Sequence, residues 1–366
     1  MLRRACLCLL LVIVLAVPVL AGSVASAPPQ QKRVTYNLYF GDLHTHTSYS
    51  DAWEGTPWDA YAAARASGAD FMAITDHVAS WNAYSAFVLT PEEWDDTLAA
   101  AAYYTSKDFV ALTGYETWML GGLGEVNVYN VPTLPPESHL GYKWDRLPGI
   151  YDWISSQPGA VGQFNHPSYM TNDFVDFAYL TPSRDAAMGV VEVYNDLLTE
   201  DSYINALDKG WHVMPSANSD THSMDWMTGS DVRTVLLAPS LKAADLYAAM
   251  SAQRGYATLD KNLRISYSLN GQTMGSILDG GTSQFSAAIH IEDPDGIAAD
   301  EITLVEIVSD AGEVVASVPT GGNVVDITMQ LSSHTATYFY LRVTTASGLD
   351  GAPGVTAWTA PVWTGR

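Results

Sequence analysis

A chain of 366 residues, 48% hydrophobic and 16% charged, is long enough for two domains and too apolar to be disordered. Its 40 acidic against 17 basic residues give a formal charge of −23, which excludes broad contact with nucleic acid or an anionic membrane surface. The two cysteines, Cys6 and Cys8, fall in the first 27 residues; a chain cut after Ala27 has no disulfide, thiolate ligand or cysteine nucleophile.

The N-terminus carries a processing pattern. Arg3 and Arg4 precede an apolar run over 5–20, and Ala25-Ser26-Ala27 offers a small-x-small cleavage site before Pro28-Pro29. A signal peptide over 1–27 and a linker over 28–37 are expected, and with them a secreted or periplasmic protein. The run is short for a bilayer span, so no stable membrane span is expected after cleavage. The arginine pair leaves Sec and twin-arginine export both open.

From residue 38 to about 260, strand-like and helix-like runs alternate. Strands are expected over 38–43, 71–75, 109–112, 125–129, 160–164, 189–193, 213–216 and 234–237. Thr56-Pro57 reads as an N-cap with proline at the first helical position, opening a helix to about Ser67. Thr90-Pro91-Glu92-Glu93 opens a second to about Ser106, and 241–253 is a third. Alternation of this kind implies an α/β domain with a mostly parallel sheet, open or closed into a barrel. Beyond Leu263 the runs are short, alternate with period two (265–269, 285–291, 302–308, 338–344) and are separated by turns such as Asn270-Gly271. A small all-β domain over 261–366, a sandwich, is the expectation.

The chemistry gathers at the ends of strand-like runs. His44 and His46 stand two residues apart, a spacing that aims both rings to one face of a strand. Asp42 shares that face or supports it, and Asp51 follows. Asp76-His77 ends "FMAITDH", Glu116 ends "FVALTGYE", His166 ends "AVGQFNHP", and Asp220 and His222 end "HVMPSANSDTH". Singly, each is an ordinary surface, cap or turn residue. Five segments delivering His, Asp or Glu at strand ends converge on one mouth of an α/β sheet. Imidazole with carboxylate suits divalent zinc, manganese or iron, and several carboxylates favour ions held as a bridged group.

In these motifs the chain resembles the polymerase-and-histidinol-phosphatase (PHP) domain metallohydrolases. "DLHTHTSYSD", "ITDH", "GYE", "NHP" and "SDTH" occur in that family's order, over roughly 38–260. The trailing region, ending "AWTAPVWTG", resembles the C-terminal part of a secreted or periplasmic, carbaryl-hydrolase-like branch. The resemblance implies a distorted (β/α)7 barrel followed by the β domain, and two or three divalent ions (zinc, manganese or iron, with magnesium open). It implies that His44, His46, Glu116 and Asp220 surround a first ion. Glu116 would bridge to a second, shared with His166, and Asp51, His77 and His222 would hold a third. Glu116 and Asp220 would hold the nucleophilic water with the ions, while Asp42 and Asp76 would orient neighbouring histidines from behind.

Two positions depart from the family pattern. Ala52 replaces a usual glycine, which alters a turn. Glu125, in "GGLGEVNVYN", stands where the family places a histidine ligand of the second ion. A glutamate there makes the site more anionic and shifts it toward manganese, magnesium or iron.

The implied activity is that of an exported metal-dependent hydrolase, first a phosphoesterase, using a hydroxide that bridges two ions. The alternative is an amide, carbamate or carboxyl-ester hydrolase with the same centre. A non-catalytic secreted binding protein is the alternative of another class, its β domain attaching to polysaccharide or a cell surface. The substrate is a small-molecule ester or amide. A phosphate monoester calls for cationic partners, and Arg65, Lys107, Lys143, Arg146, Arg184 and Arg233 are the candidates, none inside a motif. Among the rest, Trp53, Trp58, Trp81, Trp94 and Trp118 are candidates for pocket walls or core. His212 starts its strand and stays unassigned, His139 reads as an exposed loop residue, and His290 and His334 as structural. "DPDG" over 293–296 holds two aspartates of a calcium loop without its full ligand series and reads as a β-turn.

Overall fold

The computed structural model describes residues 35–79, 87–117, 123–136, 146–168, 173–348 and 353–365. The expected signal peptide and most of the linker, Trp81, Trp118, His139, Lys143 and the side chain of Arg146 lie outside the described residues.

The first part of the chain builds strands β1 (Asn37–Asp42), β2 (Phe71–Ile74), β3 (His77–Val78), β4 (Val110–Thr117), β5 (Glu125–Tyr129), β6 (Val161–Asn165), β7 (Met188–Asn195), β8 (Leu197–Leu198), β9 (Met214–Ala217), β10 (Arg233–Ala238) and β11 (Gly255–Thr258). Helices α1 (Pro57–Ser67), α2 (Pro91–Tyr104), α3 (Arg146–Ser156), α4 (Pro182–Ala187), α5 (Glu200–Asp208) and α6 (Ala243–Ser251) lie between them. The helix starts follow from capping chemistry. The Thr56 amide and hydroxyl both donate to Asp59 at 2.8 Å. Glu93 accepts from the Thr90 amide at 2.8 Å while its own amide donates to the Thr90 hydroxyl. Each pair closes a capping box and satisfies amides that the first turn leaves without a carbonyl. Helices α3, α4 and α5 are not among those named from the sequence. In α3, Pro148 falls in the first turn, where a missing amide proton is tolerated.

The sheet is mixed rather than mostly parallel. Pairs β1–β2, β2–β4, β3–β4, β6–β7 and β7–β9 are parallel, whereas β1–β10, β10–β11, β4–β5 and β5–β6 are antiparallel. The reversal at β5 has a local cause. Only seven residues separate β4 from β5, too few for a parallel crossover, which needs a dozen or more. It also has a consequence for the site. Because β5 runs against its neighbours, its first residue, Glu125, lies opposite Asn165 at the last position of β6. A residue at a strand's beginning therefore joins residues at other strands' ends.

The remainder is β-rich: β12 (Arg264–Leu269), β13 (Gln272–Thr273), β14 (Gln284–Glu292), β15 (Ile302–Val308), β16 (Val314–Pro319), β17 (Val324–Ser332), β18 (Tyr338–Thr345), β19 (Gly354–Thr359) and β20 (Val362–Trp363). Strands β13-β12-β14-β17 form a four-stranded antiparallel sheet, and β15, β16, β18 and β19 extend the large mixed one. β19 pairs with β11, which carries main-chain hydrogen bonds across the 260/261 position. Ile265, Tyr267 and Leu269 of β12 and Phe285 and Ile289 of β14 share one apolar cluster with Phe339, Leu341 and Val343 of β18. The Tyr267 hydroxyl donates to the Phe339 carbonyl across that cluster.

Candidate metal centre

The chain leaves β1 at Asp42, bends at Leu43 and places Thr45 in a parallel bridge to Thr221. That bridge keeps His44 and His46 on one side just past the strand end, with ring centroids 5.2 Å apart. Their Nε2 atoms lie 3.2 Å from each other. Around them, His44 Nε2 is 2.9 Å from Glu116 Oε2 and 3.2 Å from Asp220 Oδ1. His46 Nε2 is 2.9 Å from Asp220 Oδ1 and 3.3 Å from Glu116 Oε2. Both rings are fully buried.

The tautomer of His44 follows from its neighbour. Its Nδ1 lies 2.9 Å from Oε1 of the buried Glu192, which also accepts from Asn218 and Gln163, so the pairing is with Nδ1–H as donor. A neutral His44 then presents the Nε2 lone pair to two carboxylate oxygens and a second imidazole nitrogen. Asp220 Oδ1, despite its short approaches, makes no aligned hydrogen bond and is buried. Four electron-rich atoms at 2.9–3.3 Å repel one another unless a cation or protons sit among them. Donors placed around one ion at roughly 2.0–2.1 Å stand roughly 3.0–3.4 Å apart. The donor set therefore fits a divalent ion.

Two more groups adjoin this one. Asp51 Oδ1 is 3.1 Å from His222 Nε2, and Asp51 Oδ2 is 3.4 Å from His77 Nε2. The His46 ring stacks on His222 at 4.3 Å and lies 4.5 Å from His77. Potential donor atoms of His46, Asp51, His77 and His222 all fall within 4.8 Å of one another. On the other side, His166 Nε2 is 3.3 Å from Glu116 Oε1 and 3.4 Å from Glu125 Oε2, so Glu116, Glu125 and His166 form a third group. The structure thus brings together all nine residues singled out as ligands, with Glu116 shared between two groups and His46 lying within reach of the Asp51 group as well.

Two of the nine sit on strained backbone. His166 has φ +29° and Asp220 φ +47°, values that few residues other than glycine adopt. Such strain persists where surrounding contacts over-determine it, and it gathers at functional sites. Here the contacts are explicit. The His166 amide donates to Glu192 Oε2 at 2.6 Å, and the Asp220 amide donates to the His44 carbonyl at 3.0 Å.

Glu192 is the functional residue that the sequence reading missed. Besides His44 Nδ1 and the His166 amide, it accepts from Asn218, Gln163 and Asn195. Its signal was available: an acid inside the apolar run "MGVVEVYN" must be paired if that run is a buried strand. The expected supports act differently. Asp42 accepts the amides of His44 and Ser219, and Asp76 accepts from Thr47 and the Ser50 hydroxyl. They fix backbone and loop, while Glu192 fixes a ring.

Electrostatics report the same excess of negative charge. Burial lowers the pKa of His44, but Asp220, Glu116 and Glu192 outweigh it and leave it well above 6.5. His46 likewise is lowered by burial, then raised by Asp220 and Glu116 to about 10. Burial raises the carboxyls of Glu116, Asp220 and Asp51, yet the surrounding histidines hold all three below the usual range. Without ions, this environment favours protons on His44 and His46, and a metal must displace them.

Beside the centre lies a cleft of about 350 Å³, lined by Asp42, Tyr194, Asp196, Asp220, His222 and Arg233 among others. Arg233 is the one candidate cation lining it among the described residues, and its guanidinium donates to the carbonyls of Met227, Ser230 and Val232. Arg184 pairs with Asp152, Lys107 with Asp108, and Arg65 is exposed on α1. Trp94 is core, Trp58 donates to Asp96, and Trp53 is 92% exposed. His212 pairs with Asp185 at the start of β9's approach, His290 with Asp326 on an exposed face, and His334 is exposed.

No protein-family model and no curated protein matches the chain. Among solved structures it is similar to a two-domain protein from Bacteroides vulgatus containing a predicted PHP-like metal-dependent phosphoesterase. That likeness has 14% identity, 88% coverage of this chain, 95% of the other, and a TM-score of 0.47. It is also similar to an amidohydrolase from Chromobacterium violaceum with bound sulfate, at 15% identity, 50% coverage of this chain, 87% of the other, and a TM-score of 0.35.

Proposed function

We propose that the chain is an exported metal-dependent hydrolase, with phosphoesters as its first substrate class. The observation that carries this reading is the group of four donor atoms from His44, His46, Glu116 and Asp220, buried together with approaches of 2.9–3.3 Å. In this reading His44, His46, Glu116 and Asp220 hold one ion, Glu116, Glu125 and His166 a second, and His46 or its neighbours Asp51, His77 and His222 a third. Bound divalent ions lower the pKa of a coordinated water toward neutrality and polarise the oxygen that gains charge during hydrolysis.

The protein's own part is orientation and charge. Glu192 keeps His44 in the tautomer that turns Nε2 to the centre. Asn165 donates to Glu116 Oε1 at 2.7 Å and Asn195 to Asp220 Oδ2 at 3.1 Å, so each carboxylate keeps its other oxygen for the centre. The cleft beside Asp220 and His222 is where substrate would lie.

An amide, carbamate or carboxyl-ester substrate is the second reading, and the acidity of the cleft favours it. Asp42, Asp196, Asp220 and Asp225 line it, and the guanidinium of Arg233 is engaged by carbonyls. A dianionic phosphate would rely on the bound ions for its neutralisation, which a neutral carbonyl would not need. The same proposal includes a PHP-type barrel over 38–260, for which the parallel strands ending at one mouth are the support. It also includes a β-sandwich over 261–366, supported by the apolar cluster that β12 and β14 share with β18. The deciding experiment measures turnover of phosphomonoester, phosphodiester, carboxyl-ester and amide substrates by metal-loaded protein. Phosphoester turnover supports the first reading, amide or ester turnover alone replaces it with the second, and no turnover by metal-replete protein contradicts both.

A further inference from the structure

Far along the chain from the histidine-rich centre, Asp260, Asp293 and Asp300 bring carboxylate oxygens within 4.8 Å of one another. The register of two strands causes this. β12 and β14 pair antiparallel with Arg264 opposite Glu292, so the turn before β12 meets the residues after β14. Asp260 lies in that turn, where its Oδ1 accepts the amides of Asn262 and Leu263 at 2.8 and 2.9 Å. Asp293 begins the "DPDG" turn, and Asp300 lies in a short 3-10 turn that follows it.

Three acids alone make no site. The independent observation is Asp293 itself, which is only 2% exposed. Its Oδ1 accepts the Asp295 amide at 3.0 Å, while Oδ2 is buried with no hydrogen-bond partner. A second buried acceptor without a partner, Asn262 Oδ1, sits on the Asp260 turn. A buried carboxylate that keeps one oxygen without a partner while two further carboxylates lie close by is costly unless a cation sits among them. Burial and the charge of Asp260 push the Asp293 carboxyl up to about 6, with Asp300 adding to it and the amides of Asp295 and Gly296 opposing. Asp231, Asp295 and Lys261 are the other charged groups that act on Asp300.

We infer that Asp260, Asp293 and Asp300 form a structural site for a hard, oxygen-seeking divalent cation, calcium above all, distinct from the histidine-rich centre. All donors are oxygen and none is nitrogen, which selects against zinc. Calcium accepts irregular sets of six to eight oxygens, so carbonyls and waters complete what three carboxylates begin. The ion fastens the turn after β11 to the connection between β14 and β15.

The test uses the whole chain, stripped with EGTA, dialysed free of the chelator, reloaded with zinc at its histidine centre, and then titrated with calcium chloride. Wild type is expected to gain about 2–4 °C in melting temperature near 1 mM calcium, as sites of extracellular modules saturate at roughly 0.1–1 mM. Asp293→Asn and Asp300→Asn should each lose that gain and bind one calcium fewer by equilibrium dialysis. Without calcium both should melt above wild type, since each removes one of three repelling charges. Asp300 is partly exposed, so Asp300→Asn keeps the test valid if Asp293→Asn does not fold. His46→Ala should keep the whole calcium response. No calcium response in wild type overturns the inference, and so does a response retained in both aspartate variants.

Discussion

Strands β2 and β10 are buried at every residue, while β12 and β14 alternate, each inward residue followed by an outward one. The two regions treat a histidine beside a carboxylate in correspondingly different ways. His290, on an outward position of β14, lies 2.8 Å from Asp326 with both side chains largely in water. His44, past the end of β1, lies 2.9 Å from Glu116 and from Glu192 with none of the three exposed. Water screens the first pair, which is worth about 0–1 kcal/mol. The second is held in a low-dielectric pocket with several acids, where unbalanced charge recruits protons or metal ions. The distance is nearly the same; burial and the number of acids decide what the pair is for.

The sharpest way to break this contrast is to remove a buried donor. His46→Ala or Asp220→Asn should cost more than about 100-fold in turnover, since even residues that only orient ligands cost 10–100-fold. Steady-state kinetics beside metal analysis checks it, and activity near wild type in either variant would end the ligand assignment. Glu192→Gln should come next, weakening metal affinity by about 10- to 100-fold while leaving the ligands in place. Competition with a coloured chelator reads that change.

Glu125 tests the region's edge. Glu125→Ala should lose one metal equivalent, and Glu125→His should move preference toward zinc by exchanging an oxygen donor for nitrogen. Equal stoichiometry and equal metal ranking across the three proteins would remove Glu125 from the site.

Smaller in effect is pH. In metal-free protein the folded pKa of His46 is raised, to about 10, above its unfolded 6.5. That group therefore stabilises the fold fully below about pH 6.5 and loses its contribution as pH climbs toward 10. Melting temperature of stripped protein should fall from pH 6 to pH 9. Metal-loaded protein should not follow, because there the ions have displaced the protons. Parallel pH profiles for the two forms would contradict the assignment. At the bottom of the scale, His290→Ala should change stability by less than about 0.5 kcal/mol and leave metal content unchanged.

Much of this arrangement was legible in the sequence where local chemistry decides it. Thr-Pro caps announced α1 and α2, and period-two runs announced β12, β14, β15 and β18. The motifs at 42–51, 76–77, 116, 166 and 220–222 announced which side chains would meet. What was not legible depends on pairing between distant segments. Glu125 itself was named from its motif position, but the antiparallel setting of β5, which brings it to the mouth from a strand's start, was not foreseen. Glu192 lies inside an apolar strand, so its role emerges only when β7 sits beside β6 and β9. Asp260 and Asp293 are neighbours only because of the β12–β14 register, which short turn motifs do not encode.

The most direct test of the central claim is elemental analysis of the purified protein beside Glu116→Gln. Glu116 touches His44, His46, His77 and His166 at 2.9–3.4 Å, so it belongs to two donor groups at once. Wild type should carry two or three transition-metal equivalents per chain, and Glu116→Gln should lose more than one of them while remaining folded. A wild-type protein without stoichiometric metal after growth in metal-supplemented medium, or an undiminished content in Glu116→Gln, would contradict the account.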